Sequence, residues 1–119
     1  NVYIVSMSSA GRFLSLTTLQ ALQLFGGLIE EGRLRKGWSR DMLAERVGVG
    51  AITIRRLIRG EPSVAIGTYF EAATLVGVPL FEQNSSLGVE QALSRQRTLL
   101  KLLPKRIRGA EDEPLDDDF

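Results

Sequence analysis

Apolar residues recur at helical spacing in five stretches of the chain, and this pattern predicts an all-α fold. The first helix is expected over residues 17–36, with a capping box of Thr17 and Gln20 at its start and Gly37 at its end. Gly26 and Gly27 cost this helix about 1 kcal/mol each relative to alanine, so we interpret them as allowing close backbone approach. The predicted apolar face consists of Leu22, Phe25, Leu28 and Ile29.

Two short helices with a turn between them are expected next. Ser39 is the predicted N-cap of the second helix, which Gly48 ends, and Trp38 and Leu43 form a hydrophobic staple around that cap. The third helix begins at the cap Gly50 and ends at Gly60, where a left-handed residue is expected. Their inward residues are Leu43, Ala44 and Val47 in the second helix and Ile54, Leu57 and Ile58 in the third.

The last two helices are expected over residues 65–76, ended by Gly77, and 86–103, ended by Pro104. The inner face predicted for the fourth is Ile66, Tyr69, Phe70, Ala73 and Val76, and the stripe predicted for the fifth is Val89, Leu93, Leu100 and Leu103. The chain thus divides into an arm (1–16), a helical domain (17–83), a C-terminal helix for packing or dimerisation (84–104) and a tail (105–119). Residues 1–6, ahead of Met7, are either a non-native extension or a short edge strand or dimer arm.

Charge is unevenly distributed although the net charge is only +1. Residues 1–60 contain nine Lys/Arg and four Asp/Glu, whereas residues 61–119 contain six and ten. Six of those ten acids lie between Glu111 and Asp118. This asymmetry indicates a nucleic-acid-binding half and a tail with another purpose.

The composition argues against catalysis. There is no cysteine or histidine, which excludes disulfides, thiolate metal sites and the commonest general base. There is also no glycine-rich phosphate loop after a strand, so we expect no enzyme activity, no metal and no cofactor. Because no apolar run is long enough to span a bilayer and no leader pattern is present, we expect a cytoplasmic protein.

The segment 38–60, WSRDMLAERVGVGAITIRRLIRG, has the features of a helix-turn-helix that places its second helix in the DNA major groove. Two short helices, a glycine in the turn and apolar residues that fix the helix angle are all present. Ile52, Arg55, Arg56 and Arg59 share the outer face of the second helix at i, i+3, i+4 and i+7. The alternative is a plain helical hairpin with a solvated arginine face, but the complete spacing favours DNA binding.

Residues 28–80 resemble the five-helix Xre/Cro-type family, also called the lambda-repressor-like fold, through WSRDMLAERVGV, TIRRLIRG and FEAATLVGVP. More narrowly, GEPSVAIGTYFEAATLVGVPLF, the run LLKLLPKRIR and the closing DDDF resemble Xre-type antitoxins encoded beside HipA-type kinase toxins. The resemblance implies a five-helix helix-turn-helix domain followed by a C-terminal helix and an acidic tail.

The resemblance also implies roles for individual residues. Base-reading positions fall on Gly50, Ala51, Ile52 and Arg55, and phosphate contacts fall near Thr53, Arg56 and Arg59, with Arg40 and Lys36 as further phosphate donors. Since Gly50 and Ala51 offer bases no side-chain hydrogen bonds, base recognition would depend on Arg55 and Ile52. The family's common glutamate near the end of the third helix is Ile58 here, so core packing is expected in place of a buried charge pair.

The resulting hypothesis is a homodimeric repressor of a palindromic operator that also serves as antitoxin of a HipA-type Ser/Thr kinase, with the first or fifth helix or the N-terminal arm as dimer interface. The tail residues Asp116, Asp117, Asp118 and Phe119 are the candidate partner-binding residues. One alternative is a protein whose partner binding dominates over DNA binding, and another is a stand-alone phage-like or metabolic regulator without a toxin.

Overall fold

The computed structural model describes residues 6–7, 13–81 and 86–106. Five helices follow one another: α1 (Leu16–Lys36), α2 (Arg40–Val47), α3 (Ala51–Ile58), α4 (Ile66–Val76) and α5 (Ser86–Leu102). They confirm the predicted all-α class. Ahead of them, β1 (Ser6–Met7) pairs antiparallel with β2 (Phe13–Leu14) in a two-stranded piece that the apolar pattern did not predict as a pair. The predicted tail contacts Asp116, Asp117, Asp118 and Phe119 lie outside the described residues.

The first helix begins earlier than expected. Ser15, in an extended conformation, is its N-cap, and the Ser15 hydroxyl accepts a hydrogen bond from the backbone N–H of Thr18 at 3.2 Å. The predicted capping box of Thr17 and Gln20 is therefore wrong. Ser and Thr both suit an N-cap, so the sequence Ser15-Leu-Thr-Thr offered several competing caps.

The other predicted helix boundaries agree with the structure to within one or two residues. The Ser39 hydroxyl accepts from the Met42 backbone N–H at 3.0 Å, which caps α2. Glycines with positive φ follow the helices as expected, namely Gly37 (72°), Gly48 (90°), Gly60 (77°) and Gly77 (85°). Only glycine enters this left-handed region without steric cost, so these positions end the first four helices sharply.

The core lies where α1 and α2 pack against α3 and α4. Its fully buried large side chains are Tyr69, Ile29, Leu43, Ile54 and Leu57. Two expected core residues are instead exposed. Leu28 is 40% exposed because the buried line of α1 runs through Gly26, Ile29 and Arg33, and Ile66 is 60% exposed because it lies at the first residue of α4, before the buried stripe begins at Tyr69.

Glycines in α1 permit close helix contacts. A Cβ atom on Gly26 would lie 2.6 Å from the Ile58 carbonyl oxygen and closer still to that of Leu57, and one on Gly32 would lie 2.7 Å from a Val76 methyl carbon. Gly27 has no described atom within 4 Å of such a position. The expectation of close backbone approach is therefore confirmed for Gly26 and wrong for Gly27.

The chain divides into two units, residues 1–84 and 85–119, and the second contains α5. Within α5 and the residue that follows it, the predicted stripe is largely uncovered, since Leu93, Leu100 and Leu103 are exposed and Val89 is half-buried. Among the described residues, no helix is both long and apolar enough to cross a membrane.

Candidate nucleic-acid interface

The turn between α2 and α3 is built by glycine and backbone hydrogen bonds. Gly48, at φ 90°, donates its N–H to the Ala44 carbonyl at 2.8 Å, and the Val49 N–H reaches the same carbonyl at 3.0 Å. Leu43 and Ala44 of α2 are buried in one core with Ile54 and Leu57 of α3. Because both helices contribute to this core, the direction of α3 relative to α2 is set by packing rather than by the turn alone.

The outer face of α3 presents the residues that the sequence pattern placed there. Ile52 is 57% exposed, although an isoleucine in a helix of this size is usually buried, and Arg55, Arg56 and Arg59 are exposed beside it. At the start of the helix, Gly50 and Ala51 are also exposed, whereas Thr53 is half-buried. The structure therefore brings the predicted base-reading positions together on one surface.

The arginines of this surface differ in their partners. Arg59 pairs with Glu61 at 2.9 Å, and Arg56 approaches the same carboxylate at 3.9 Å. Within the described part of the chain, Arg55 makes no ion pair. Arg55, which is predicted to read a base, thus has no ion-pair partner there, while Arg56 and Arg59, two of the predicted phosphate donors, lie beside Glu61.

Arg40 belongs to a network that the sequence pattern did not predict. Its guanidinium lies 3.1 Å from Glu30, and Glu30 receives two further hydrogen bonds of 2.8 Å from Arg33. Arg33 is only 9% exposed and also donates to the Trp38 carbonyl at 2.7 Å. The Arg33 hydrogen bonds, helped by Arg40, lower the pKa of Glu30, although burial opposes the shift.

The expectation of core packing at Ile58 is confirmed, and a separate buried ion pair lies within α1. Ile58 does pack against the core, but the buried Arg33 finds its counter-charge at i−3 on its own helix. The Glu30–Arg33 spacing was visible in the sequence, and Arg33 lies in the same helical line as Ile29. The prediction considered only Ile58 on α3 and did not consider a pair within α1.

Two cationic side chains lie over the ring of Trp38, which precedes the start of α2. The Arg46 guanidinium lies 4.3 Å and the Lys36 ammonium 5.6 Å from the centroid of its ring. These are cation–π distances, so the indole helps to position both charges. Lys36 was a predicted phosphate donor, whereas Arg46 was not predicted, although its place eight residues after Trp38 in a basic segment could have suggested it.

Together, a glycine turn, two short helices packed into one core and an exposed basic face are the features of a DNA-binding helix-turn-helix domain. Residues 29–83, a little under half of the chain, match the family model described as Helix-turn-helix. This match supports the broad Xre and lambda-repressor-like helix-turn-helix family and indicates a DNA-binding transcriptional regulator. A comparison with curated proteins finds no match.

Proposed function

We propose that the chain is a sequence-specific repressor that inserts α3 into the major groove of its operator. One observation carries this proposal: α3 buries Ile54 and Leu57 while it exposes Ile52 and Arg55 on the opposite face. An exposed arginine beside an exposed apolar side chain can distinguish base pairs, since arginine binds guanine bidentately and an apolar group contacts the thymine methyl.

We assign the remaining residues to positioning. The residues that would contact phosphates are Thr53 and Arg56 on α3, Arg59 just after it, Lys36 at the end of α1 and Arg40 at the start of α2. Gly50 and Ala51 have little or no side chain, so they would let the start of α3 approach the bases closely. Phosphate contacts fix the register of a protein on DNA but carry no direct sequence information. Specificity therefore depends on Arg55 and Ile52.

Two arginine variants test this division of roles. An operator is first selected from a randomised duplex library with the native chain, and affinities are then measured for that operator and for versions with single base pairs changed. We expect Arg55→Ala to lose about 1–3 kcal/mol and to relax the preference at one position, whereas Arg56→Ala should weaken binding to all sequences alike. Unchanged affinity and preference in Arg55→Ala would refute the assignment.

A homodimer is the proposed binding form, because two recognition helices about 34 Å apart would match a palindromic operator. The exposed leucines of α5, with Leu24 and Leu34 on α1, provide apolar surface that a second copy could cover. A comparison of the sedimentation of the native chain with that of the Leu93→Glu, Leu100→Glu double variant tests whether the exposed face of α5 is the dimer interface. If the variant sediments as the native chain does, α5 is not the interface.

We further propose that the protein neutralises a HipA-type Ser/Thr kinase toxin. The support is the resemblance of residues 60–81 and of the C-terminal segments to antitoxins of that type, together with the six acids between Glu111 and Asp118. The acidic tail, including Asp116, Asp117, Asp118 and Phe119, would bind a basic groove of the kinase. The alternative, a stand-alone regulator, predicts that no kinase gene lies next to the gene for this chain.

Co-expression with the adjacent gene product tests the antitoxin proposal. The native chain should rescue growth and co-purify with the kinase, and truncation after Ala110 should abolish rescue while operator binding persists. Full rescue by the truncated chain would exclude the tail as the inhibitory element. Failure of the native chain to rescue or co-purify would reject the toxin partner and leave the repressor proposal standing.

A further inference from the structure

Glu61 is an acidic residue placed among the cations of the proposed DNA-binding face. It follows Gly60 directly after α3, and its carboxylate lies 2.9 Å from Arg59 Nη2 and 3.9 Å from Arg56 Nε. An acid at this position works against DNA binding, because it brings negative charge to the side of the domain that would face phosphates. Its ion pairs with the two arginines contribute little to stability, because exposed ion pairs are weak.

The backbone of Glu61 is anchored to the domain. Its N–H donates to the Arg56 carbonyl at 3.0 Å, and its own carbonyl accepts a hydrogen bond from the Tyr69 hydroxyl at 2.8 Å. Tyr69 is only 1% exposed and stacks on Phe25 with ring centroids 5.7 Å apart, so it is fixed by the core. The base of the Glu61 side chain is therefore held beside the two arginines.

We propose that Glu61 is an intramolecular competitor of the DNA backbone, which occupies Arg56 and Arg59 when DNA is absent and releases them to phosphates. The inference rests on the proposed DNA-binding function. Carboxylate and phosphate oxygens use the same guanidinium donors, so the two arginines cannot bind both fully at once. The pairs are exposed and weak, which makes the exchange feasible.

The competition has a selective consequence. It weakens contacts to phosphates, which are the same at every sequence, but it leaves Arg55 without a competitor in the described part of the chain. Binding to random DNA is then reduced, and the operator complex depends more strongly on base recognition. Glu61 would accordingly act as a specificity-determining residue that does not itself need to contact a base.

The variant Glu61→Gln removes the charge while it preserves the size of the side chain and both backbone hydrogen bonds. Glu71→Gln is its matched control, because Glu71 is exposed on α4, has no ion pair among the described residues and gives the same change in net charge. Fluorescence anisotropy with a random-sequence duplex should show Glu61→Gln binding about three- to tenfold more tightly than Glu71→Gln. Thermal unfolding of each variant checks that the fold is retained.

The same substitution in an Arg56→Gln, Arg59→Gln background separates competition from a general charge effect. There the advantage of Glu61→Gln over Glu71→Gln should shrink to the part that comes from removing a negative charge near the phosphates, because no arginine remains to be released. An undiminished gain would overturn the inference, as would a Glu61→Gln chain that binds no more tightly than Glu71→Gln. If neither the native chain nor Glu61→Gln binds DNA at low salt, the proposed function itself fails.

Discussion

The two adjacent glycines of α1 should respond to alanine in opposite directions. At Gly26 an added Cβ would collide with the carbonyl oxygens of Leu57 and Ile58, whereas at Gly27 it would point into open space. Both substitutions gain helix propensity, about 1 kcal/mol relative to glycine. The pair therefore separates the intrinsic effect of alanine from the effect of packing α1 against the end of α3.

The structure sets the size of the Gly26→Ala effect. The Cβ would lie 2.6 Å from the Ile58 oxygen and closer still to that of Leu57, so reaching ordinary van der Waals contact near 3.4 Å requires the helices to separate by more than about 0.8 Å. The colliding atoms belong to the backbone, so no rotamer change relieves them. Overpacking of this kind costs about 1–3 kcal/mol or more, and a value at the upper end leaves a net loss of about 2 kcal/mol after the propensity gain.

Thermal unfolding followed by circular dichroism at 222 nm measures both effects. For a domain of this size, 1 kcal/mol corresponds to about 4–8 °C in Tm, so Gly26→Ala should melt about 8–16 °C below the native chain and Gly27→Ala up to about 8 °C above it. An unchanged or raised Tm for Gly26→Ala would refute the close approach of α1 to α3. A lowered Tm for Gly27→Ala would show that this face is covered in solution.

Three further predictions concern stability. Glu30→Gln should lower the free energy of unfolding in urea at pH 7 by about 1.5–3 kcal/mol, because it weakens charged hydrogen bonds to the buried Arg33. The folded pKa of Glu30 lies below its ordinary 4.5, so this advantage of the native chain should be present above pH 4.5 and shrink as the pH falls below that value. Burial, followed by the charge of Glu61, raises the pKa of Tyr69 to about 12 from 10.0. The free energy of unfolding of the native chain should therefore hold below pH 10 and fall between pH 10 and 12 by up to about 1.4 kcal/mol per pH unit. Tyr69→Phe should lack this decline, and an equal fall of the unfolding free energy with pH in both chains would contradict the assignment. Ser15→Ala should lower the free energy of unfolding by about 0.5–2 kcal/mol, because it removes the cap of α1, whereas Thr17→Ala should be nearly neutral. A lower melting temperature for Thr17→Ala than for Ser15→Ala would show that Thr17 is the cap.

Local sequence signals were sufficient for most of the fold. Glycines at the ends of helices, Ser39 as a cap and apolar residues at helical spacing placed the helices, because each of these signals acts within a few residues of chain. Errors arose where several residues offered the same local chemistry. Ser15 and Thr17 are both suitable caps, and only the actual backbone path selects Ser15.

The candidate site was predictable to a similar extent. The shared outer face of Ile52 and Arg55 follows from the helical repeat alone. The partners of the arginines do not, because Glu30 lies ten residues from Arg40 and the reach of one side chain to another depends on how α1 and α2 pack. The place of Glu61 depends likewise on Tyr69, eight residues later in α4.

The sequence by itself determined which segments form helices, where the helices end and which face of α3 is basic, since these properties depend on neighbours along the chain. Tertiary structure alone decided that Gly26 is a contact point and Gly27 is not, although the two are adjacent and chemically identical. It also decided that Arg56 and Arg59 share Glu61 while Arg55 has no ion pair among the residues that the structure describes. Such distinctions depend on the relative placement of whole helices, which is fixed only when their side chains pack into one core.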